Sequence, residues 1–295
     1  MRAELLKIRS TAWGRCLVAL MVLGGTVVLA LAAAAPALIQ LLIDLQRRYP
    51  HLRLTDAGEG RFDDVLAHVT IIDAEYQRSL VDLVNPGPFA GFGSLGLATT
   101  CALLTGVLVA TSDFRHGGIV LATLATPNRS VVVVRKAGAV VTVLAGAGLL
   151  LVLTSAGSLL TAVALTPDAT LQLSLAEMTA VWTRSVLVLL LLGLMGLGAG
   201  LIVRHQTPAV AAVLVASVVE PTIVLVATLV AGSTPWAVSV LPLSASQLAP
   251  RGSTLASTMD LGAAAHPLMA LAALGLWATL HMVGGLWRTV GTDLV

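Results

Sequence analysis

The chain has 295 residues, 57% of them hydrophobic and 11% charged, with a mean hydropathy of +0.94. That composition excludes a soluble domain of this size. Several runs of roughly 20 residues carry few or no charges, and a bilayer core about 30 Å thick needs that many at a helical rise. The net charge of +2 gives no reason to expect a nucleic-acid partner, so the arginines are better read by the membrane face they mark.

Because the apolar runs are continuous rather than alternating, they predict helices and not barrel strands. The fold class expected is all-α: a polytopic membrane protein, one transmembrane domain over 1–295, with about six spans. Residues 1–15 place Arg2, Lys7, Arg9 and Arg15 among Leu5, Leu6, Ile8 and Trp13, the pattern of a short helix lying along the interface. The apolar run Cys16 to Ile43 follows. It is longer than the roughly 7–15 residues of a signal-peptide core, so it is expected to be an uncleaved first span that tilts or projects.

Residues 44–87 gather most of the acids. Phe62, Leu66, Val69, Ile72, Tyr76, Leu80 and Leu83 recur at helical spacing, with Asp63, Asp64, Asp73, Glu75 and Asp82 off that stripe, which predicts an amphipathic helix in an outer loop. Asn85-Pro86-Gly87-Pro88 ends it, and a second span is expected from about Phe89 to Ala110. A charged loop over 112–130 comes next. Asp113, Phe114, Arg115 and His116 open it, Gly117-Gly118 permits a sharp turn, Ile119 to Leu124 can form a short amphipathic helix, and Pro127 stops it. Arg129, Arg135 and Lys136 mark the return to lipid.

A third span is expected from Val131 to Leu165, then an outer turn and an interfacial stretch ending near Trp182 and Arg184. The fourth span, Ser185 to Val203, contains the small-residue pair Gly196 and Gly200. After the turn at Arg204–Pro208, a fifth span covers Ala209 to Ala231. Residues 232–266 are too polar and proline-rich to span, and the last span runs from Pro267 to Trp287. Basic residues at the N-terminus, at Arg115 to Lys136, at Arg204 and at Arg288 put both termini on the cytoplasmic side.

The order of acid, aromatic, Arg, glycine-containing turn, apolar run and Thr126-Pro127-Asn128-Arg129, with Lys136 opening the next span, resembles the ABC type-2 permeases, the membrane subunits of ATP-binding cassette exporters. The acid is Asp113 where that family usually has Glu. The resemblance implies that 1–15 is an elbow helix, that 112–130 is a coupling helix docking on a separate ATPase through Asp113, Phe114, Arg115, His116, Pro127 and Arg129, and that 232–266 is an outer re-entrant segment. It further implies two ATPase copies supplying the ATP and Mg chemistry, a second permease copy or a sister permease, and outward transport.

A substrate that is lipophilic or amphipathic (a drug, antibiotic, peptide or lipid) suits so apolar a chain, and the residue usage points to a bacterial cytoplasmic membrane. The only lysines are Lys7 and Lys136, and neither follows a glycine. A Walker A loop is therefore absent, and the chain is expected to be neither an ATPase nor any other enzyme. It is expected to hold no cofactor of its own and, lacking a metal-ligand motif, no metal.

Glu220, followed by Pro221, is a carboxylate near the middle of a span, and Pro221 leaves the Ser217 carbonyl without its helical donor. Two readings stand beside each other: a residue of the substrate path, or a hydrogen-bonded structural Glu at a kink. The alternatives at the level of the whole protein are a proton-coupled secondary transporter using Glu220 and a non-transporting scaffold or sensor whose 44–87 loop binds a ligand.

Overall fold

A computed structural model describes residues 2–49, 72–87, 96–115, 129–166, 169–232, 235–252 and 266–291. Every regular element among them is helical: α1 (Arg2–Ser10), α2 (Ala12–Ala19), a π turn (Leu20–Gly24), α3 (Gly25–Arg48), α4 (Ala74–Val81), α5 (Leu97–Arg115), α6 (Arg129–Leu165), α7 (Leu175–Val203), α8 (Gln206–Ala231), α9 (Trp236–Ser239), α10 (Pro242–Leu248) and α11 (Pro267–Gly291). Among the described residues six stretches are long and apolar enough to cross a membrane: Ala12–Leu45, Leu97–Phe114, Ser130–Leu165, Leu175–Val203, Gln206–Ala231 and Pro267–Val290. The chain is thus an all-helical, multi-pass membrane protein.

Helix α7 is the axis of the bundle, with its widest contacts to α5 and α11. Its glycines make this possible. A Cβ on Gly196 would stand 2.1 Å from the Leu103 carbonyl oxygen of α5, and one on Gly198 would stand 2.4 Å from the His281 carbonyl carbon of α11. From the other side, a Cβ on Gly106 of α5 would meet the Gly193 carbonyl oxygen at 2.0 Å. Lipid tails are as apolar as leucine, so helices associate in a bilayer by close packing rather than by exclusion from water. Glycines on three sides of the contact supply that closeness, and the pair Gly196 and Gly200 both face α5. By contrast α8, on the outside, keeps Leu214, Val215, Val218 and Leu229 exposed.

Several boundaries differ from the sequence reading for identifiable reasons. The N-terminal helix ends at Ser10 rather than Arg15, and after the break at Thr11 the first spanning stretch already begins at Ala12. At 34 residues it measures about 51 Å, well beyond the hydrocarbon thickness, as the expected tilt or projection requires. The second span is helical from Leu97, with residues 88–95 outside the described part. The fourth starts at Leu175, ten residues before Ser185. Ser174 and Glu177 form a reciprocal capping box there, with Ser174 Oγ accepting the Glu177 N–H and the Glu177 carboxylate accepting the Ser174 N–H. The stretch expected to lie at the interface, ending near Trp182 and Arg184, is helical and continuous with the span as the first turns of α7.

The outer amphipathic helix is described only over Ala74–Val81, and its earlier part lies outside the described residues. Asp73 caps it by accepting the Tyr76 N–H at 2.7 Å. Ile72, Tyr76, Leu80 and Leu83 are buried as the spacing predicts, but Gln77, Ser79, Val81 and Asp82 are buried too. The solvated face expected at Asp82 is therefore corrected, because α4 lies inside the bundle mouth. Its polar groups are satisfied there: Tyr76 Oη donates to the Ala32 carbonyl (2.5 Å), Gln77 Nε2 to the Thr170 carbonyl (2.8 Å), and Ser155 Oγ to the Leu80 carbonyl (2.8 Å).

The α5–α7 contact leaves no room for a side chain. Gly106→Val should lower stability by about 3 kcal/mol or more, as expected for an overpacked core that must move backbone. Gly146→Ala, where an added Cβ meets nothing within 4 Å, should be neutral or stabilise by up to about 1 kcal/mol through helix propensity. Thermal unfolding of the two purified variants in one detergent checks the contrast.

Candidate functional site

The polar groups of the bundle fall into three sets. One lies at the end where α5 runs into residues 116–128, one at the opposite end around α4, and one at mid-depth where α8 meets α10.

At the first end Asp113, on the last turn of α5, is 2% exposed and Lys136, two turns into α6, is 1% exposed. The Lys136 ammonium is ion-paired to one Asp113 carboxylate oxygen and donates to the Val109 carbonyl at 3.0 Å. The other carboxylate oxygen is ion-paired to Lys7 of α1, which is 39% exposed. Burial, and then the neighbouring Lys136 ammonium, pull Lys7 below the ordinary lysine value. One carboxylate thus holds α1, α5 and α6 together on both sides of the loop.

Beside it, Arg204 links α5 to two more elements, α7 and α11. It sits at a left-handed φ of 64° as the C-cap of α7, its guanidinium lies 6.0 Å from the centre of the Phe114 ring, and its Nη2 donates to the Arg288 carbonyl at 2.5 Å. Of the expected ATPase contacts, Asp113 and Phe114 are engaged within the bundle. Arg115 and Arg129 end α5 and start α6 on either side of it, and His116 and Pro127 lie outside the described residues.

At the opposite end Asp82 and Arg251 form an ion pair at 2.9 Å with side chains 0% and 4% exposed. The other Asp82 oxygen accepts the Val84 and Asn85 N–H groups at 2.9 and 3.3 Å, closing the turn that precedes Pro86. Burial pushes the Asp82 carboxyl above its ordinary value, while the Arg251 guanidinium and the two N–H groups oppose that shift. Residues 82 and 251 are far apart in sequence, and their pairing ties the α4 turn to the segment after α10.

At mid-depth Glu220, 8% exposed, caps a helix it does not belong to. Its carboxylate accepts the Ser244 N–H at 2.7 Å and the Ser244 hydroxyl at 3.1 Å, together with the Leu243 N–H. These are the second and third amides of α10, which a helix N-terminus otherwise leaves unsatisfied. The partner that an intramembrane carboxylate requires is therefore α10. Trp277 Nε1, ten residues into α11, donates to the Val240 carbonyl at 3.0 Å, so the turn between α9 and α10 lies about 15 Å down that helix. Arg251 then returns to the level of Asp82. The segment from Pro235 to Gly252 is re-entrant, and its irregular backbone is satisfied by protein, as a non-spanning chain inside the bundle must be.

Helix α8 continues through Pro221, and Ser217 Oγ donates to the Leu214 carbonyl of its own helix at 2.7 Å. No group of three or more potential metal ligands occurs among the described residues. His281 Nδ1 lies 2.8 Å from the Trp277 carbonyl in the same helix.

The sequence does not reveal that Lys136, Asp82 and Arg251 are members of buried ion pairs. Lys136 reads as a marker of the lipid boundary yet falls two turns into an apolar helix, and Asp82 precedes Asn85-Pro86-Gly87 at the spacing of a side-chain-closed turn. The fold and these sites define a polytopic helical membrane protein with buried ion pairs at both ends and a capped re-entrant segment between them. Comparison with protein-family models, with curated proteins and with solved structures found no match.

Two contrasts test this geometry. Lys136→Gln should destabilise by about 3–5 kcal/mol, because it leaves Asp113 buried beside a single, half-exposed partner, whereas Lys7→Gln should lose about 1 kcal/mol or less, since solvent screens that side of the pair. Glu220→Ala should lose about 1–3 kcal/mol by stranding the α10 amides, while Glu220→Gln, which keeps an acceptor oxygen, should lose less than about 1 kcal/mol. Chemical or thermal denaturation of the purified variants measures both differences.

Proposed function

We propose that this chain is the permease subunit of an ATP-binding cassette exporter, acting with two copies of a separate ATPase and with a second permease subunit. The carrying observation is the buried Lys7–Asp113–Lys136 cluster. It clamps both feet of the loop over 116–128 and the N-terminal interfacial helix to each other. A loop held in this way is suited to passing a push from a docked protein into α5 and α6 without being absorbed by local bending. Arg204, bridging Phe114 and the end of α11, extends the same connection to α7 and α11.

In this reading Asp113 and Phe114 position the loop, Arg115 and Arg129 flank its docking face, and ATP and Mg belong to the partner. The orientation follows the basic residues, with that end in the cytoplasm of a bacterial inner membrane. The transported molecule is lipophilic or amphipathic and moves outward. The rival, a proton-coupled carrier using Glu220, requires that carboxylate to exchange protons along a path. Its engagement with Ser244 and Leu243 favours a positional role.

Arg115→Glu combined with Arg129→Glu should reduce co-purification of a co-expressed cassette ATPase at least about 10-fold while leaving the unfolding midpoint of the permease within about 2 °C. Retained co-purification counts against the assignment. In a chain lacking Cys16 and Cys101, Gly117→Cys should react with a membrane-impermeant maleimide only after the cells are opened. Labelling of intact cells would invert the orientation and remove the exporter reading with it.

A further inference from the structure

At the Asp82 end, Arg78 of α4, Arg184 of α7 and Arg251 border one cavity of about 310 Å³, together with Glu177, Ala180 and Val181. Three guanidiniums meet two carboxylates there. Arg251 is committed through Nε to Asp82, and Arg78 pairs with Glu177 at 3.2 Å in a contact that is 41% and 47% exposed. Arg184 donates its Nε–H to the Ala180 carbonyl of its own helix at 3.1 Å, and among the described residues it has no carboxylate. Among the described residues this leaves one more guanidinium than carboxylates around an open cavity, an arrangement that favours a bound anion.

Depth narrows the chemistry. Arg184 is the last charged residue before Ser185–Val203, a run with none, and Trp182 lies two residues before it with its Nε1–H on Ser155 Oγ at 3.1 Å. Arginine and tryptophan at the start of an apolar run lie where lipid headgroups lie. Guanidinium forks match phosphate oxygens bidentately, and the exposed Arg78–Glu177 pair is weak enough to reorganise around a ligand.

We propose that this cavity binds a phosphate-bearing anion, the headgroup phosphate of a membrane lipid, with Arg184 as the principal contact, Arg78 as the mobile one and Arg251 as the fixed one. The apolar wall at Ala180 and Val181 would carry the first part of the acyl region. This site requires only that the chain is embedded in a membrane and does not depend on the exporter reading.

The test is thermal unfolding of the full chain in a non-ionic detergent, titrated with short-chain phosphatidylglycerol, with phosphatidylcholine of the same chain length, and with sodium phosphate against sodium chloride at equal ionic strength. Phosphatidylglycerol should raise the midpoint by several degrees and phosphatidylcholine by less than half as much. Arg184→Gln should raise the half-saturating phosphatidylglycerol concentration at least about 10-fold, and Arg184→Lys by about 3-fold or less. Ala180→Leu, which fills the cavity without changing charge, should abolish the response and serves if Arg184→Gln does not fold. A midpoint raised by phosphate as well assigns the site to the phosphate group itself, and one raised by phosphatidylglycerol alone assigns it to the intact lipid. No stabilisation by either, or a phosphatidylglycerol response unchanged in Arg184→Gln or Ala180→Leu, overturns the proposal.

Discussion

Asp113 and Lys136 face each other inside the bundle, almost wholly out of solvent, and the arrangement of the neighbouring helices depends on that pairing. A lone charge at this position would be very costly to bury, whereas a carboxylate between two ammoniums, one of which also bonds a backbone carbonyl, has its charge compensated. The requirement is geometric. Helices α5 and α6 must sit at one register for the Lys136 ammonium to reach both Asp113 and Val109, and α1 must lie against them for Lys7 to reach the other oxygen. The end of the bundle that carries the 116–128 loop is therefore specified by charge, while its middle is specified by the fit of glycines against backbone.

The opposite end uses the same device for a different purpose. Asp82 holds a turn with one oxygen and Arg251 with the other, and Glu220 reaches across from α8 to cap α10. The re-entrant segment is thus anchored at its deepest helix and again where it returns to the surface. Proline and short helices leave many backbone groups unpaired there, and in a lipid environment only protein partners can take them. Each of these carboxylates has a structural duty that is visible in its hydrogen bonds. That is why substitution of any of them must be judged on stability before it is judged on activity.

These two ends also frame the functional reading. At the loop-bearing end the Asp113 cluster joins α1, α5 and α6, and at the other end Asp82 joins the α4 turn to the segment after α10. Between them α8 presents an apolar surface with little burial, as a helix facing lipid does.

The number of spans, their helical nature and their approximate positions were legible in the sequence, because apolar length and the lack of alternation are local properties. The core stripe of α4 was legible too, at Ile72, Tyr76 and Leu80, since helical periodicity needs no partner to be read. A Ser-x-x-Glu signature at 174–177 was present and would have moved the start of the fourth span by ten residues. What the sequence could not assign was which charges meet. Lys136 looks like a boundary marker and Asp82 like a solvated acid until α5 is laid beside α6 and α4 is laid beside the segment after α10. Glu220 was visible as an anomaly, but its partner lies in a different element. Pairing across long sequence separations is decided by the packing of helices, and only the tertiary structure supplies that.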